Sequence, residues 1–432
     1  MLKTMKNAFA VKEIRRKILF TLGVLIVFRL GTYITVPGIN AKALQSIASS
    51  GLINILNTFS GGGLTNYSLF AMGVSPYITA QIVVQLLQMD IVPRFVEWSK
   101  QGEVGRRKLN QVTRYLTIIL AFIQSVAITA GFNALSSLNL VEDPSPKTFI
   151  LIGIILTGGT MFTTWLGDMI TDRGLGNGIS MIIMAGILSR VPSGIAEIYN
   201  EQFSGVSGSD IWQPITYMVI LLLVILLIVT FVTYVEQANY KIPIQYTRRL
   251  AGATDSSYLP LKVNVAGVIP VIFASSFISA PQTILLAFTQ NHSEDTWYKV
   301  MSDVFNMQSV PGMILYTFLI VVFTFFYAFV QVNPEKLSEN LQKQGSYIPS
   351  VWPGKETEKF VSRLIMRLST VGSLYLGLIS LIPLLASVLW GLNESIGLGG
   401  TSLLIVVGVT IQTLNQLNGM MMKQEYVGFI RN

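Results

Sequence analysis

Charge nearly vanishes over long stretches of this chain, and that limits its fold more than any motif does. Only 12% of the 432 residues are charged and 51% are hydrophobic. A soluble domain carries roughly 25% charged residues to solvate its surface, so half that share cannot coat several soluble cores. A bilayer span needs about 20 predominantly apolar residues. Such stretches recur at 18–36, 71–89, 112–131, 149–170 and 178–195, then at 214–235, 265–288, 311–332, 364–389 and 398–417. The pattern predicts an all-α polytopic membrane protein with about ten transmembrane helices. The basic N-terminus is not followed by a short apolar region with a small-residue cleavage site. Residues 18–36 therefore read as a first span and not as a removable leader.

Basic residues orient these spans. With both termini in the cytoplasm, every Lys and Arg falls on the cytoplasmic side except Lys42, Lys147, Arg190, Lys299 and the intramembrane Arg29. This is the asymmetry of the positive-inside rule. It accounts for the net charge of +8 without a nucleic-acid surface, and no specific DNA partner is expected. A polar stretch at 199–214 leaves about five spans on each side, dividing the chain into halves at 1–200 and 201–432. An odd number of spans per half makes the second half enter from the opposite face. Two similar halves would then be pseudo-symmetric and inverted about an axis in the membrane plane.

Most site chemistry is excluded. The chain has no Cys and one His, which removes thiolate chemistry and most zinc sites. There is no GxxxxGK[ST] and no HExxH, and the GLGNG run at 174–178 lies between two spans, where it reads as a turn opening the next helix. Asp90, Asp168 and Glu236 fall near cytoplasmic span ends, so no catalytic residue, metal or cofactor is expected. An inverted-repeat secondary transporter of a small solute is the alternative function. Ion coupling would place ionisable groups at the midplane, yet Arg29 alone lies well inside a span. Arg29 reads either as a structural, carbonyl-bonding arginine or as a contact that stabilises one gate state.

A short segment interrupts the span pattern. In GLINILNTFSGGG (51–63), Leu52, Ile55, Leu56 and Phe59 share one helical face. About nine helical residues reach only ~14 Å, too little to cross a bilayer. Gly61, Gly62 and Gly63 then untie the segment from the next span. It reads either as an interfacial helix or as a half-inserted helix that closes a funnel. Val74 with Ile78 and Ile183 with Ile187 stack one turn apart, as lipid-facing packing or as the lining of a dry constriction. Two loops exceed what a connection needs: 236–262, with Lys241, Arg248 and Arg249, and 333–367, with Tyr347, Trp352 and Phe360. Loops of that length usually bind a partner.

Several strings carry a resemblance that covers the chain in order: TVPGIN (35–40), FSGGG (59–63), GVSPYITAQIVVQLL (73–87) and GEVGRRKLNQVTRY (102–115). They continue with LGNGIS (175–180), LPLKVNVAGVIPVIFASS (259–276), QVNPEKLSENLQKQG (331–345) and GGTSLLIVVGV (399–409). Together they resemble the SecY family, the central subunits of bacterial protein-translocation channels. The resemblance implies a passive protein-conducting channel in the bacterial plasma membrane, with an hourglass pore between the halves. It would pass unfolded preproteins and release transmembrane segments through a lateral gate between spans 71–89 and 265–288. The implied plug is 52–64, with Leu52, Ile53, Ile55, Leu56, Phe59, Gly61, Gly62 and Gly63. The implied pore ring is Val74, Ile78, Ile183, Ile187, Ile272 and Ile405, and the implied gate residues are Gln85, Asn264 and Ile278. Lys241, Arg248, Arg249, Tyr347, Trp352 and Lys355 would dock the ATPase SecA or the ribosome, which would supply the energy. SecE, SecG, signal peptides, nascent polypeptides and the lipid bilayer complete the implied partners. The chain departs from the family at Trp352, where an arginine is usual, and over 250–259.

Overall fold

A computed structural model describes residues 9, 11–40, 57, 60–89, 91–135, 140–141, 143–203, 212–246, 258–292, 295–390 and 400–430. The first half contains α1 (Lys12–Gly31), α2 (Ser75–Leu87), α3 (Pro93–Lys100), α4 (Glu103–Leu135), α5 (Pro146–Arg173) and α6 (Gly178–Phe203). The second half begins with α7 (Trp212–Gln237), β1 (Asn239–Pro243), β2 (Gln245–Tyr246) and β3 (Tyr258–Lys262). It continues with α8 (Ile269–Leu286), α9 (Thr289–His292), α10 (Thr296–Phe305), α11 (Val310–Gln331), α12 (Pro334–Lys343), β4 (Ser346–Tyr347), α13 (Lys355–Trp390) and α14 (Gly400–Ile430).

Among the described residues, eight helices are long and apolar enough to cross a bilayer. The remaining two expected spans correspond to α1 and α2. Lys12, Glu13, Arg15, Arg16 and Lys17 lie in the first turns of α1. At 13 residues, α2 is about 20 Å long, short of the ~30 Å hydrocarbon core. Several helices open on Pro in their first turn, where the missing N–H costs nothing. The Ser145, Ser309 and Asn333 side chains accept from the Thr148, Gly312 and Lys336 N–H groups and cap α5, α11 and α12.

Two expectations shift. The first helix ends at Gly31 and not near 36, so Arg29 stands in its last turn and not deep within a span. A cation there complements the negative end of the helix dipole. The expected span at 71–89 begins as a helix only at Ser75. The residues before it are turns, tied back to the exit of α1 by Val36 N–H to Tyr67 C=O at 3.0 Å and Leu69 N–H to Ile34 C=O at 2.9 Å.

The largest buried cluster draws side chains from α1, α2, α5, α6, α7, α8, α11, α13 and α14. α2 and α8 sit at its centre, and α8 packs on α2, α4, α11 and α10. In contrast, α7 presents Leu222, Leu223, Leu226 and Leu227 outward. The two long loops fold together. β1 pairs antiparallel with β3, and β2 with β4, so 236–262 and 333–367 share one small platform. Ile242, Leu261, Ile348, Val361 and Ile365 form the core beneath it.

Candidate functional site

Four helices deliver the six ring candidates into that central cluster. Val74 precedes the first turn of α2, and Ile78 follows one turn on. Ile183 and Ile187 come from α6, Ile272 from α8 and Ile405 from α14. All six belong to one buried core and none is more than 4% exposed. All six side chains are purely aliphatic, so they themselves offer water no hydrogen-bond partner. Glycine at 176 carries the α5–α6 turn at φ +78°, and α6 opens at Gly178, whose added Cβ would lie 1.8 Å from the Gly167 carbonyl oxygen. The 174–178 run is thus the turn that sets the α6 isoleucines in place.

Of the plug candidates, Leu52, Ile53, Ile55, Leu56 and Phe59 lie outside the described residues. Gly61, Gly62 and Gly63 are described, and Gly61 lies against α6. A Cβ on Gly61 would stand 3.1 Å from the Gly186 Cα and 3.2 Å from the Phe28 ring. Gly186 sits on α6 between the two ring isoleucines of that helix. Both Gly61 and Gly62 have positive φ, +64° and +82°, a region that favours glycine.

Arg29 holds this turn. Its Nη1 donates to the Gly61 carbonyl at 2.6 Å and its Nη2 to the Tyr33 hydroxyl at 3.0 Å. The guanidinium also lies 4.9 Å from the Tyr33 ring centroid. Ser189 of α6 reaches the same Gly61 carbonyl at 3.5 Å. Asn57 closes the turn from within, accepting from the Thr65 N–H at 3.0 Å and donating to the Thr65 Oγ1 at 2.6 Å. Sequence reasoning did not single out Asn57, Gly186 or Ser189. An asparagine three residues before SGGG is a turn signal, and it was the available clue.

The gate candidates separate. Ile278 is fully buried in the central cluster. Asn264, 1% exposed, donates from Nδ2 to Glu236 Oε1 at 2.6 Å and to the Gly267 carbonyl at 3.0 Å. It therefore ties α7 to the start of α8, with Gly372 of α13 leaving room for its Oδ1. Gln85 is half-buried on α2. α2, α4 and α8 pack on one another, and they carry the buried Thr79, Gln124, Ser125, Ser276, Ser279 and Thr283. Among the described residues, Gln85 Oε1, Ser125 Oγ, Ser276 Oγ and Gln282 Oε1 have no hydrogen-bond partner. Buried polar atoms without partners weaken a closed interface, because separation lets water or a ligand satisfy them. At one end a Cβ on Gly131 of α4 would meet the Leu286 side chain at 2.5 Å and its backbone at 2.8 Å.

The docking candidates lie on the platform or beside it. Lys241 projects from β1 over the Tyr258 ring at 4.7 Å. The Tyr347 hydroxyl on β4 donates to Gln245 Oε1 on β2 at 2.9 Å, which couples the two loops directly. Trp352 is 82% exposed, and Lys355 opens α13 in solvent. Arg248 and Arg249 lie outside the described residues. Among those residues, no group of three His, Cys, Asp or Glu side chains is placed to hold a metal ion.

Comparison with known proteins sets this geometry in context. The family model described as SecY matches residues 68–414. The chain is similar to "Protein translocase subunit SecY 1" of Lactobacillus kefiranofaciens subsp. kefiranofaciens, 62% identical over 431 residues and the full length of both chains. It is also 50% identical over 436 residues to "Protein translocase subunit SecY" of Bacillus subtilis (strain 168), again over the full length of both. Among solved structures, "The structure of a protein conducting channel" matches with a TM-score of 0.66 at 20% identity, covering 93% of this chain and 91% of that one. "Sec61 in the Canine ribosome-channel complex from the endoplasmic reticulum" matches at 0.63 and 20%, with the same coverage. At that identity these two likenesses show the fold.

Proposed function

Because this chain belongs to the SecY family, we propose that it forms the protein-conducting channel of a translocase. The observation that carries the reading is that Val74, Ile78, Ile183, Ile187, Ile272 and Ile405, brought by four helices, all fall within one buried hydrophobic cluster. A pore that passes every kind of side chain cannot rely on specific polar contacts, which would trap some sequences. Methyl groups give a soft, dry seal with little preference.

The other assignments follow from that centre. Residues 52–64 act as the plug, and Arg29 latches its trailing turn through the Gly61 carbonyl. The polar, small-residue seam of α2, α4 and α8 is the lateral gate, which parts for signal peptides and transmembrane segments. Motion occurs between the halves 1–200 and 201–432. The channel is passive, and energy comes from SecA or a translating ribosome docked on the loop platform. SecE and SecG complete the complex. The chain spans the plasma membrane with both termini cytoplasmic, as the basic residues demand.

Reconstitution tests the reading. Vesicles containing this chain and SecE, supplied with SecA, ATP and a labelled preprotein, should protect the preprotein from added protease. Saturable uptake of a small solute by the chain alone, without preprotein protection, would overturn the proposal and favour a transporter.

A further inference from the structure

One face of α5 joins two cavities of opposite character. Ile155, Gly158, Phe162, Trp165, Met169 and Asp172 follow one another at three- and four-residue steps, so they lie on a single stripe. The first cavity is apolar, about 530 Å³, and is lined by Val27, Leu30 and Ile34 from the α1 side, by Leu69, and by Ile155 and Phe162 on α5. Gly158 leaves it open, since a Cβ there would meet nothing within 4 Å. The second cavity, about 310 Å³, is lined by Arg114, Trp165, Asp168, Met169, Asp172 and Arg173. The Phe162 and Trp165 rings, one from each cavity, stand 5.5 Å apart.

The second cavity balances two guanidinium groups against two carboxylates. Arg114 Nη2 donates to Asp168 Oδ2 at 2.6 Å, yet the Arg114 side chain remains 54% exposed. Asp172 and Arg173 are exposed and make no side-chain hydrogen bond among the described residues. From Gly158 to Met169 the helix rises about 16 Å at ~1.5 Å per residue. That is half of the ~30 Å hydrocarbon core, the reach of one acyl chain from its interface. Trp165, at the junction, is the residue type that favours the membrane–water boundary.

We propose that this face of α5 binds one phospholipid whose headgroup carries both a phosphodiester and a primary ammonium, as in phosphatidylethanolamine. The phosphate is held by Arg173 and the unused donors of Arg114, whose planar groups suit phosphate oxygens. The ammonium is held by Asp172 and Asp168. One acyl chain runs past Trp165 and Phe162 into the apolar cavity. A purely anionic headgroup would lack the ammonium that Asp172 and Asp168 would hold, and would add a net negative charge to a site whose own charges already balance. A choline headgroup has the right charges but no N–H to donate. The inference rests on the membrane reading of α5 and not on what the channel carries.

Native mass spectrometry of the full-length chain, offered equal amounts of phosphatidylethanolamine, phosphatidylcholine and phosphatidylglycerol with identical acyl chains, tests the site. Phosphatidylethanolamine should be retained about fivefold over each of the others, a preference equivalent to ~1 kcal/mol. Asp172→Asn should remove its advantage over phosphatidylcholine. Arg173→Gln should lower retention of all three lipids. Leu30→Trp, which fills the apolar cavity, should do the same with the headgroup site intact. Free phosphoethanolamine should not compete, because it lacks the chain. Both headgroup residues are exposed, so both variants should fold, which thermal unfolding without added lipid checks. Equal retention of the three lipids, preference for phosphatidylglycerol, or competition by free phosphoethanolamine would each overturn the proposal. So would displacement of the bound lipid by a transmembrane helix of another subunit.

Discussion

α7 and α8 are both apolar helices, but they meet opposite surroundings. The most apolar window of α7 has a mean hydropathy of 3.1 and is 6% buried, whereas that of α8 has 1.6 and is 50% buried. A soluble protein would reverse this relation. In a bilayer the lipid tails are as apolar as leucine, so an all-leucine face has no reason to seek another helix. Helices pack where small and polar residues permit close approach and hydrogen bonding. Ala274, Ser275, Ser276, Ser279 and Ala280 give α8 that character, and all are buried. The comparison teaches that hydropathy marks the lipid face, while its local loss marks the centre.

Replacing one side chain on each helix sharpens the contrast. Ile272→Ala on α8, at 4% exposure, should cost about 2–5 kcal/mol in transfer and cavity terms. Leu222→Ala on α7, at 59% exposure, should stay within about 0.5 kcal/mol. Unfolding in detergent compares them, and equal losses would break the distinction between centre and rim.

The Arg29 latch comes next. Removing a charged donor from the Gly61 carbonyl should cost about 1.5–3 kcal/mol. Ser60 is fully buried, so Ser60→Cys reports opening of the turn in a chain that otherwise has no Cys. Adding Arg29→Ala should raise thiol labelling at position 60 by about tenfold or more. An unchanged rate would return Arg29 to a purely structural role at the end of α1.

The smallest expected effect concerns the α4–α8 contact. Gly131→Ala puts a methyl group against the Leu286 backbone, so α8 must shift, at a cost of about 1–3 kcal/mol. Spin labels at Met89 and Phe277, both exposed, should show a longer and broader distance distribution in the variant. An identical distribution would mean that the seam is not poised to part.

Much of the fold was legible because each span announces itself. All ten helices stand in the expected order. Their ends did not follow hydropathy, because a helix satisfies its backbone equally well beyond the membrane. Thus α4 starts at Glu103 and α13 at Lys355, well before their apolar cores. Four short helices, α3, α9, α10 and α12, escaped a search for spans, although Trp297, Val300 and Met301 show the helical spacing of a surface element on α10. The β2–β4 pairing was illegible for another reason: two residues bonded to two others a hundred positions away leave no periodic trace. The ring candidates were singled out only through motif resemblance, since isoleucine looks the same facing lipid or facing a pore. The Arg29–Gly61 contact depends on where α1 ends, which the apolar run placed too late.

Ion flux through reconstituted channels, without substrate, tests the central claim most directly. Ile183→Asn places an amide in the buried hydrophobic cluster at a burial cost of about 1–3 kcal/mol unless water enters. Water entry is the cheaper outcome, so this channel should leak small ions, while Leu222→Asn, facing lipid, should not. A tight Ile183→Asn channel, or equal leaks from both variants, would contradict the account of the aliphatic cluster as the seal.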